Sequence, residues 1–141
     1  MKTFGLTIAV VLGLASAPAV AEPITLSNTS IGSSFAVDYN GYTGSGTIDG
    51  LLGSALFTLT GTTANSYTFS YSVTNESTSP ITVSRISGFG FNTNPEIAGA
   101  SATGTFSQVG TGNAPNIGNV DVCFKSGGGS NNCAGGGGGG V

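Results

Sequence analysis

Between Ser66 and Thr74 the chain reads SYTFSYSVT, and no other run limits the fold as strongly. Tyr67, Phe69, Tyr71 and Val73 alternate with Ser and Thr. A period of two marks a β-strand with one face buried and one in water, because successive side chains point to opposite sides of the pleat. Hydroxyl-bearing residues on the wet face suit that geometry. Just upstream, Ala55–Thr60 (ALFTLT) reads as a second strand, and Gly61–Asn65 (GTTAN) as the longer loop joining the two into a hairpin.

Further strands are expected at Ile24–Leu26, Ser34–Tyr39, Thr47–Leu52, Ile81–Ile86, Phe89–Phe91, Thr103–Val109 and Val120–Phe124. Turn-rich stretches lie at Asn40-Gly41, Asn75–Pro80, Asn92–Pro95 and Gly110–Gly118. The period slips between Ile86 and Phe89, with Gly88 and Gly90 at the slip, which predicts a β-bulge or a bend between sheets. No window combines helical periodicity with caps. Many short strands joined by Gly, Asn, Ser and Pro turns predict an all-β fold, an antiparallel β-sandwich. A jelly-roll or a barrel would leave the same pattern. The strand aromatics read as core.

Charged residues make up 6% of the chain, against roughly 25% in ordinary soluble domains. Disordered chains combine high charge with few aromatics. This one has eight Phe and four Tyr, so its middle should fold, with a surface made polar by hydroxyls, amides and backbone. The net charge is −3, and beyond Lys2 the basic residues are Arg85 and Lys125. Two cations cannot track a phosphate backbone, so nucleic acid and anionic membrane surfaces are not expected partners.

The N-terminus explains why Lys2 stands apart. Met1-Lys2-Thr3 is followed by an apolar stretch, Phe4–Leu14, then by Ala15-Ser16-Ala17-Pro18 and Ala19-Val20-Ala21. A basic start, a short apolar run and an A-x-A end form a secretory signal peptide, cut between Ala21 and Glu22. The apolar run falls short of the roughly 20 residues needed to span a bilayer, and no other segment is long and apolar enough. The expected organisation is therefore a signal peptide at 1–21, a β-domain at 22–125 and a Gly-rich tail or linker at 126–141.

Cys123 and Cys133 are the only cysteines. In an exported chain they read as a short-loop disulfide, contributing about 2.5–3 kcal/mol by the chain-entropy estimate. A metal pair is the other reading, and without histidine it would need two carboxylate ligands. Beyond Cys133 the run Gly135–Gly140 has no side chains to bury and reads as a flexible linker. A linker that reaches only Val141 suggests a chain cut short, and so a sandwich incomplete at its C-terminus.

With no histidine, Ser-His-Asp, Cys-His and H-E-x-x-H arrangements are ruled out. Nothing in the spacing of Glu22, Asp38, Asp49, Glu76, Glu96 and Asp121 selects an acid–base pair, so these carboxylates read as solvated or turn-capping. No catalytic, cofactor-binding or metal-ligating residue is nominated, and no cofactor is expected. Tyr39 and Tyr42 flank the expected Asn40-Gly41 turn and are the one candidate aromatic platform for a glycan; edge-of-core tyrosines are the other reading. Tyr67 and Tyr71 should face the core with Phe69.

The segment Thr68–Phe91, TFSYSVTNESTSPITVSRISGFGF, and the segment Val120–Val141, VDVCFKSGGGSNNCAGGGGGGV, together resemble exported bacterial proteins of the PEP-CTERM sorting class. The nearest resemblance is to its cistern family, marked by a cysteine pair beside polyglycine, here Cys123, Cys133 and Gly135–Gly140. The resemblance implies a Gram-negative exported protein tied to exopolysaccharide and biofilm material. This sequence departs from the family in lacking the C-terminal sorting tail of a Pro-Glu-Pro-like tripeptide, an apolar helix and basic residues.

Four functions follow from this reading. The leading one is a non-enzymatic exported surface or matrix protein, secreted or held at the cell surface, whose hydroxyl-rich β-surface contacts exopolysaccharide or other surface proteins. A soluble carbohydrate-binding module built on Tyr39 and Tyr42 is the alternative. A carboxylate hydrolase and an edge strand open to a partner complete the set.

Overall fold

A computed structural model describes residues 25–26, 30–43, 45–115, 118–128, 131–135 and 138–141. The signal peptide and the Ala21–Glu22 cut lie outside the described residues, as does the side chain of Tyr42.

Strands β1 (Ser34–Tyr42), β2 (Thr47–Thr63) and β3 (Ser66–Asn75) form one antiparallel sheet in the order β1-β2-β3. Strands β4 (Gly88–Phe91), β5 (Gln108–Ala114) and β6 (Gly118–Lys125) form a second antiparallel sheet in the order β4-β6-β5. No helix occurs among the described residues, and the fold is all-β.

The alternation in β3 sets the register of the first sheet. Phe35, Phe57 and Tyr71 align across the three strands, and so do Val37, Ala55 and Val73. Both ranks project from the same face. The second sheet contributes Phe89, Phe91 and Phe124 to the same cluster. The Phe57 ring centroid lies 5.9 Å from Phe89 and 6.1 Å from Phe91, and Tyr71 lies 6.0 Å from Phe89. One aromatic core thus serves both sheets. Each fully buried Phe contributes about 1.5–3 kcal/mol of transfer free energy.

Phe106 completes the core from a turn, not from a strand. Its backbone N–H donates to Tyr71 Oη at 3.3 Å, while that hydroxyl donates to Thr103 O at 2.9 Å. Tyr71 therefore packs with its ring and fastens the 103–106 loop with its hydroxyl. The expected Thr103–Val109 strand is replaced by this anchored turn, and β5 starts only at Gln108.

Several other expectations are corrected. Asn40-Gly41 is not a turn: both residues belong to β1, and the reversal comes later, where Thr43 N–H donates to Gly46 O at 3.1 Å. The inward pull of Val37 and Tyr39 keeps the chain extended through a dipeptide whose local preference is to turn. Thr47–Leu52 and Ala55–Thr60 are one strand, because Gly53 does not break it. A Cβ on Gly53 would come within 2.5 Å of Ile86 Cδ1, so the glycine makes room for a neighbour inside the strand. The β2–β3 loop is shorter than expected, a tight turn at Ala64-Asn65.

Ile81–Ile86 is not a strand. The Asn75 side chain binds Ser84 instead, donating from Nδ2 to Ser84 O at 3.1 Å and accepting from Ser84 Oγ at 3.1 Å. An amide side chain here supplies hydrogen bonds that a neighbouring strand would otherwise make. Gly110–Ala114 belongs to β5 and not to a loop, and β5 and β6 pair as a hairpin. Thr25 and Leu26 carry no strand, and residue 24 lies outside the described residues.

The glycine-rich end is not a free linker where it is described. Residues 131–135 lie on the second sheet: Thr111 N–H donates to Asn131 O at 2.9 Å, and Cys133 is bonded to Cys123 with Cα atoms 5.7 Å apart. Lys125, 2% exposed, donates from Nζ to Asn132 O at 2.6 Å. A buried ammonium must be met by oxygen, and backbone carbonyls of the overlying loop meet this one. The expected division at 125/126 therefore falls within one packed unit.

Candidate functional site

The residues of the first sheet that do not enter the core form its outer face. Because the pleat alternates, Ser70, Ser72 and Thr74 of β3 point opposite to Phe69, Tyr71 and Val73. Register then builds three ranks across β1, β2 and β3: Ser34–Thr58–Ser70, Ala36–Leu56–Ser72 and Asp38–Ser54–Thr74. Neighbouring strands lie about 4.8 Å apart, so each rank brings its side chains within mutual reach.

Two contacts hold the face in place. Ser34 Oγ and Thr58 Oγ1 share a hydrogen bond at 2.7 Å. Ser54 Oγ donates to Glu76 Oε1 at 2.8 Å. Leu56, 46% exposed, sits between the polar ranks, and Leu52, 38% exposed, lies beyond the Asp38–Ser54–Thr74 rank, opposite Asn40. The face is thus hydroxyl ranks alternating with exposed leucines, with the carboxylates Asp38 and Glu76 towards one end. Neither Arg85 nor Lys125 serves it, since both donate to carbonyls of the glycine-rich segment. Hydroxyls donate and accept, and Leu offers C–H surface. That combination suits a neutral ligand carrying its own hydroxyls and C–H faces. It supplies no positive charge for an anion.

Of the two tyrosines offered as a candidate platform, Tyr39 follows the edge-of-core reading instead. Tyr39 turns inward and packs against Phe89 with ring centroids 6.5 Å apart. Its hydroxyl is buried with no hydrogen-bond partner among the described residues. Desolvation by that burial pushes its pKa up to about 12. Tyr42 lies at the end of β1 opposite Thr47. The platform depended on a turn at Asn40-Gly41, and without that turn Tyr39 keeps the inward side of an unbroken strand.

Tyr67 is the aromatic that sequence reasoning missed. It stacks on Phe69 at 6.4 Å and is 53% exposed. The alternation places it on the Phe69 side of β3, but the expectation that it faces the core is corrected, because it lies in the open there. Whether anything covers that end depends on how far the second sheet reaches, and the aromatic contacts of the second sheet fall on Tyr39, Phe57 and Tyr71 instead. A concavity of about 140 Å³ opens near this end, lined in part by Leu26, Phe35, Leu59 and Phe69.

One carboxylate takes the capping role expected of it, and another is held by a side chain. Asp121 Oδ2 accepts from Thr93 N–H at 2.8 Å, and Glu76 accepts from Ser54. Among the described residues, no group of three or more His, Cys, Asp or Glu side chains comes together to hold a metal ion. The Cys123–Cys133 pair is the disulfide, which removes both thiols from metal ligation. No helix among the described residues is long and apolar enough to cross a membrane. No protein-family model, curated protein or solved structure matches the chain.

Proposed function

We propose that the chain is a non-enzymatic exported surface or matrix protein whose first sheet contacts polysaccharide through its outer face. The observation that carries this reading is the rank structure of that face: Ser34–Thr58–Ser70 and Asp38–Ser54–Thr74 on either side of exposed Leu56. Sugar rings present hydroxyls at their edges and C–H groups on their faces. A surface of hydroxyls around exposed leucine complements both without requiring charge. The resemblance of Cys123, Cys133 and Gly135–Gly140 to the cistern family, and the signal peptide expected at 1–21, support the same placement at the exterior of a Gram-negative cell.

The test is co-sedimentation of the purified protein with native exopolysaccharide and with washed cells. A triple substitution, Leu56→Glu with Ser70→Ala and Ser72→Ala, alters the face while leaving the inner rank intact. Association that falls at least tenfold in the variant supports the proposal. No association of the unaltered protein with either material rejects it.

A soluble carbohydrate-binding module is the second reading, and exposed Tyr67 favours it. Here a single ring stacked on Phe69 would be the platform, in place of Tyr39 and Tyr42. Glycan-array binding that Tyr67→Ala abolishes and the triple substitution spares would select this reading.

A further inference from the structure

The chain leading into β4 carries a slot for an extended backbone, and the glycine-rich segment fills it. Ile86 and Val141 exchange two backbone hydrogen bonds: Ile86 N–H donates to Val141 O at 2.8 Å, and Val141 N–H donates to Ile86 O at 3.1 Å. A reciprocal pair of this kind is the unit of antiparallel pairing. Arg85 reinforces it by donating from Nη1 to Gly138 O at 2.9 Å.

The slot also selects its occupant. A Cβ on Gly140 would collide with Ile86 O and come within 3.0 Å of Arg85 Cγ. Gly140 has φ of 127°, which L side chains rarely adopt. On Gly139 a Cβ would lie 3.2 Å from Ser126 O, a contact tighter than usual. Backbone bonds supply the attraction, and lack of space supplies the specificity. Strand addition to an exposed edge works in the same way, with alternate side-chain pockets here reduced to none.

We infer that the slot beside Arg85 and Ile86 is a receptor for glycine-rich strands, which accepts the 138–141 segment of a second copy of this chain in exchange for its own. Slot and segment are different parts of the surface, so mutual exchange closes a pair and one-way exchange links copies head-to-tail into open chains. The resident segment competes at an effective concentration on the order of millimolar. Exchange therefore occurs where copies are crowded to that level, and dilute protein is monomeric. The inference does not depend on what the outer face of the first sheet binds.

The test uses the full chain carrying Gly140→Val, which expels the resident segment and empties the slot. An amidated peptide with the sequence of residues 134–141 is titrated against it while the Ile86 amide resonance is followed. Unchanged resonances for Phe57 and Phe106 establish that the variant is folded. The expected result is a saturating shift at Ile86, with at least tenfold weaker binding for a peptide carrying valine in place of Gly140 and several-fold weaker binding to a Gly140→Val protein that also carries Arg85→Ala. Sedimentation equilibrium of the unaltered chain from micromolar to millimolar concentration should show association that Gly140→Val removes. Absence of a shift at Ile86, or equal binding of the two peptides, overturns the glycine receptor. An unaltered chain that stays monomeric at millimolar concentration overturns the exchange.

Discussion

Ser70, Ser72 and Thr74 on β3 point away from the core and are open to water, whereas Cys123 and Lys125 on β6 are 4% and 2% exposed. The outer face of the first sheet is polar and bare, and alternation is enough to explain it. The outer face of the second sheet is covered by the chain's own 131–135 segment, held by a disulfide, by Lys125 Nζ on Asn132 O and by Thr111 N–H on Asn131 O. A sheet in water needs only one apolar face. The second sheet has covering on both, and its central strand loses the clean alternation as a result: Val120, Val122, Cys123 and Lys125 are all buried. The difference assigns roles. The bare face is the one proposed to take a ligand, and the covered one holds the glycine-rich segment.

Breaking the cover should have the largest effect. Replacing Cys123 and Cys133 together by Ala should lower stability by about 2.5–3 kcal/mol, read as a fall in the urea midpoint. Protection of the Thr111 amide against hydrogen exchange should fall further than that of Phe57. Equal loss at both sites would mean that the cover is not a separate layer.

Lys125→Met keeps the stem and removes the ammonium. The carbonyl of Asn132 then loses a charged donor, and a loss of about 2 kcal/mol is expected. Thermal unfolding compared with the same substitution at Arg85, whose partner Gly138 is exposed, should give a clearly smaller shift for Arg85. A reversed order would mean that Lys125 is not the buried anchor.

The layer between the faces gives a smaller effect of opposite sign. Tyr39→Phe removes a buried hydroxyl without a partner, and a gain of about 1 kcal/mol is expected. The pH dependence follows from the raised pKa. Between the usual tyrosine value near 10 and about 12, the unfolded chain has lost the Tyr39 proton and the folded chain keeps it. Folding stability should therefore decline as pH rises through that window, being fully present below it. Tyr39→Phe should flatten that decline in equilibrium unfolding; an unchanged slope would show that Tyr39 is not its source.

On the bare face, substitutions should barely register. Ser70→Ala and Ser72→Ala are expected within about 0.5 kcal/mol of the unaltered protein, whatever they do to polysaccharide association. A loss above 1 kcal/mol would mean that the face is already in use within the fold, and the contrast between the two sheets would fail.

Much of the fold is legible in the residues themselves. SYTFSYSVT states its inner and outer faces, and the disulfide follows from two cysteines in a chain expected to be exported. Of the candidate site, the hydroxyl side of β3 could be read in advance, but its company could not. Leu56 lies beside Ser72 only through the β2–β3 register, and Glu76 reaches Ser54 from beyond the end of β3. The sequence left Tyr39 open between a platform and the edge of the core, because Asn40-Gly41 prefers to turn when considered locally. In the folded chain, pairing with β2 and burial of Tyr39 outweigh that preference.

The sequence alone determined what depends on neighbouring residues: the strand period, the division of β3 into wet and dry sides, the scarcity of charge and the absence of histidine chemistry. These are local because the pleat repeats every two residues. Only the tertiary structure decided what depends on coverage. Whether an inward aromatic is sealed, as Phe57 is, or half open, as Tyr67 is, depends on how far the opposite sheet extends. Whether a glycine run dangles or docks depends on partners for its N–H and C=O groups, which are the same in every residue and leave no pattern in a sequence.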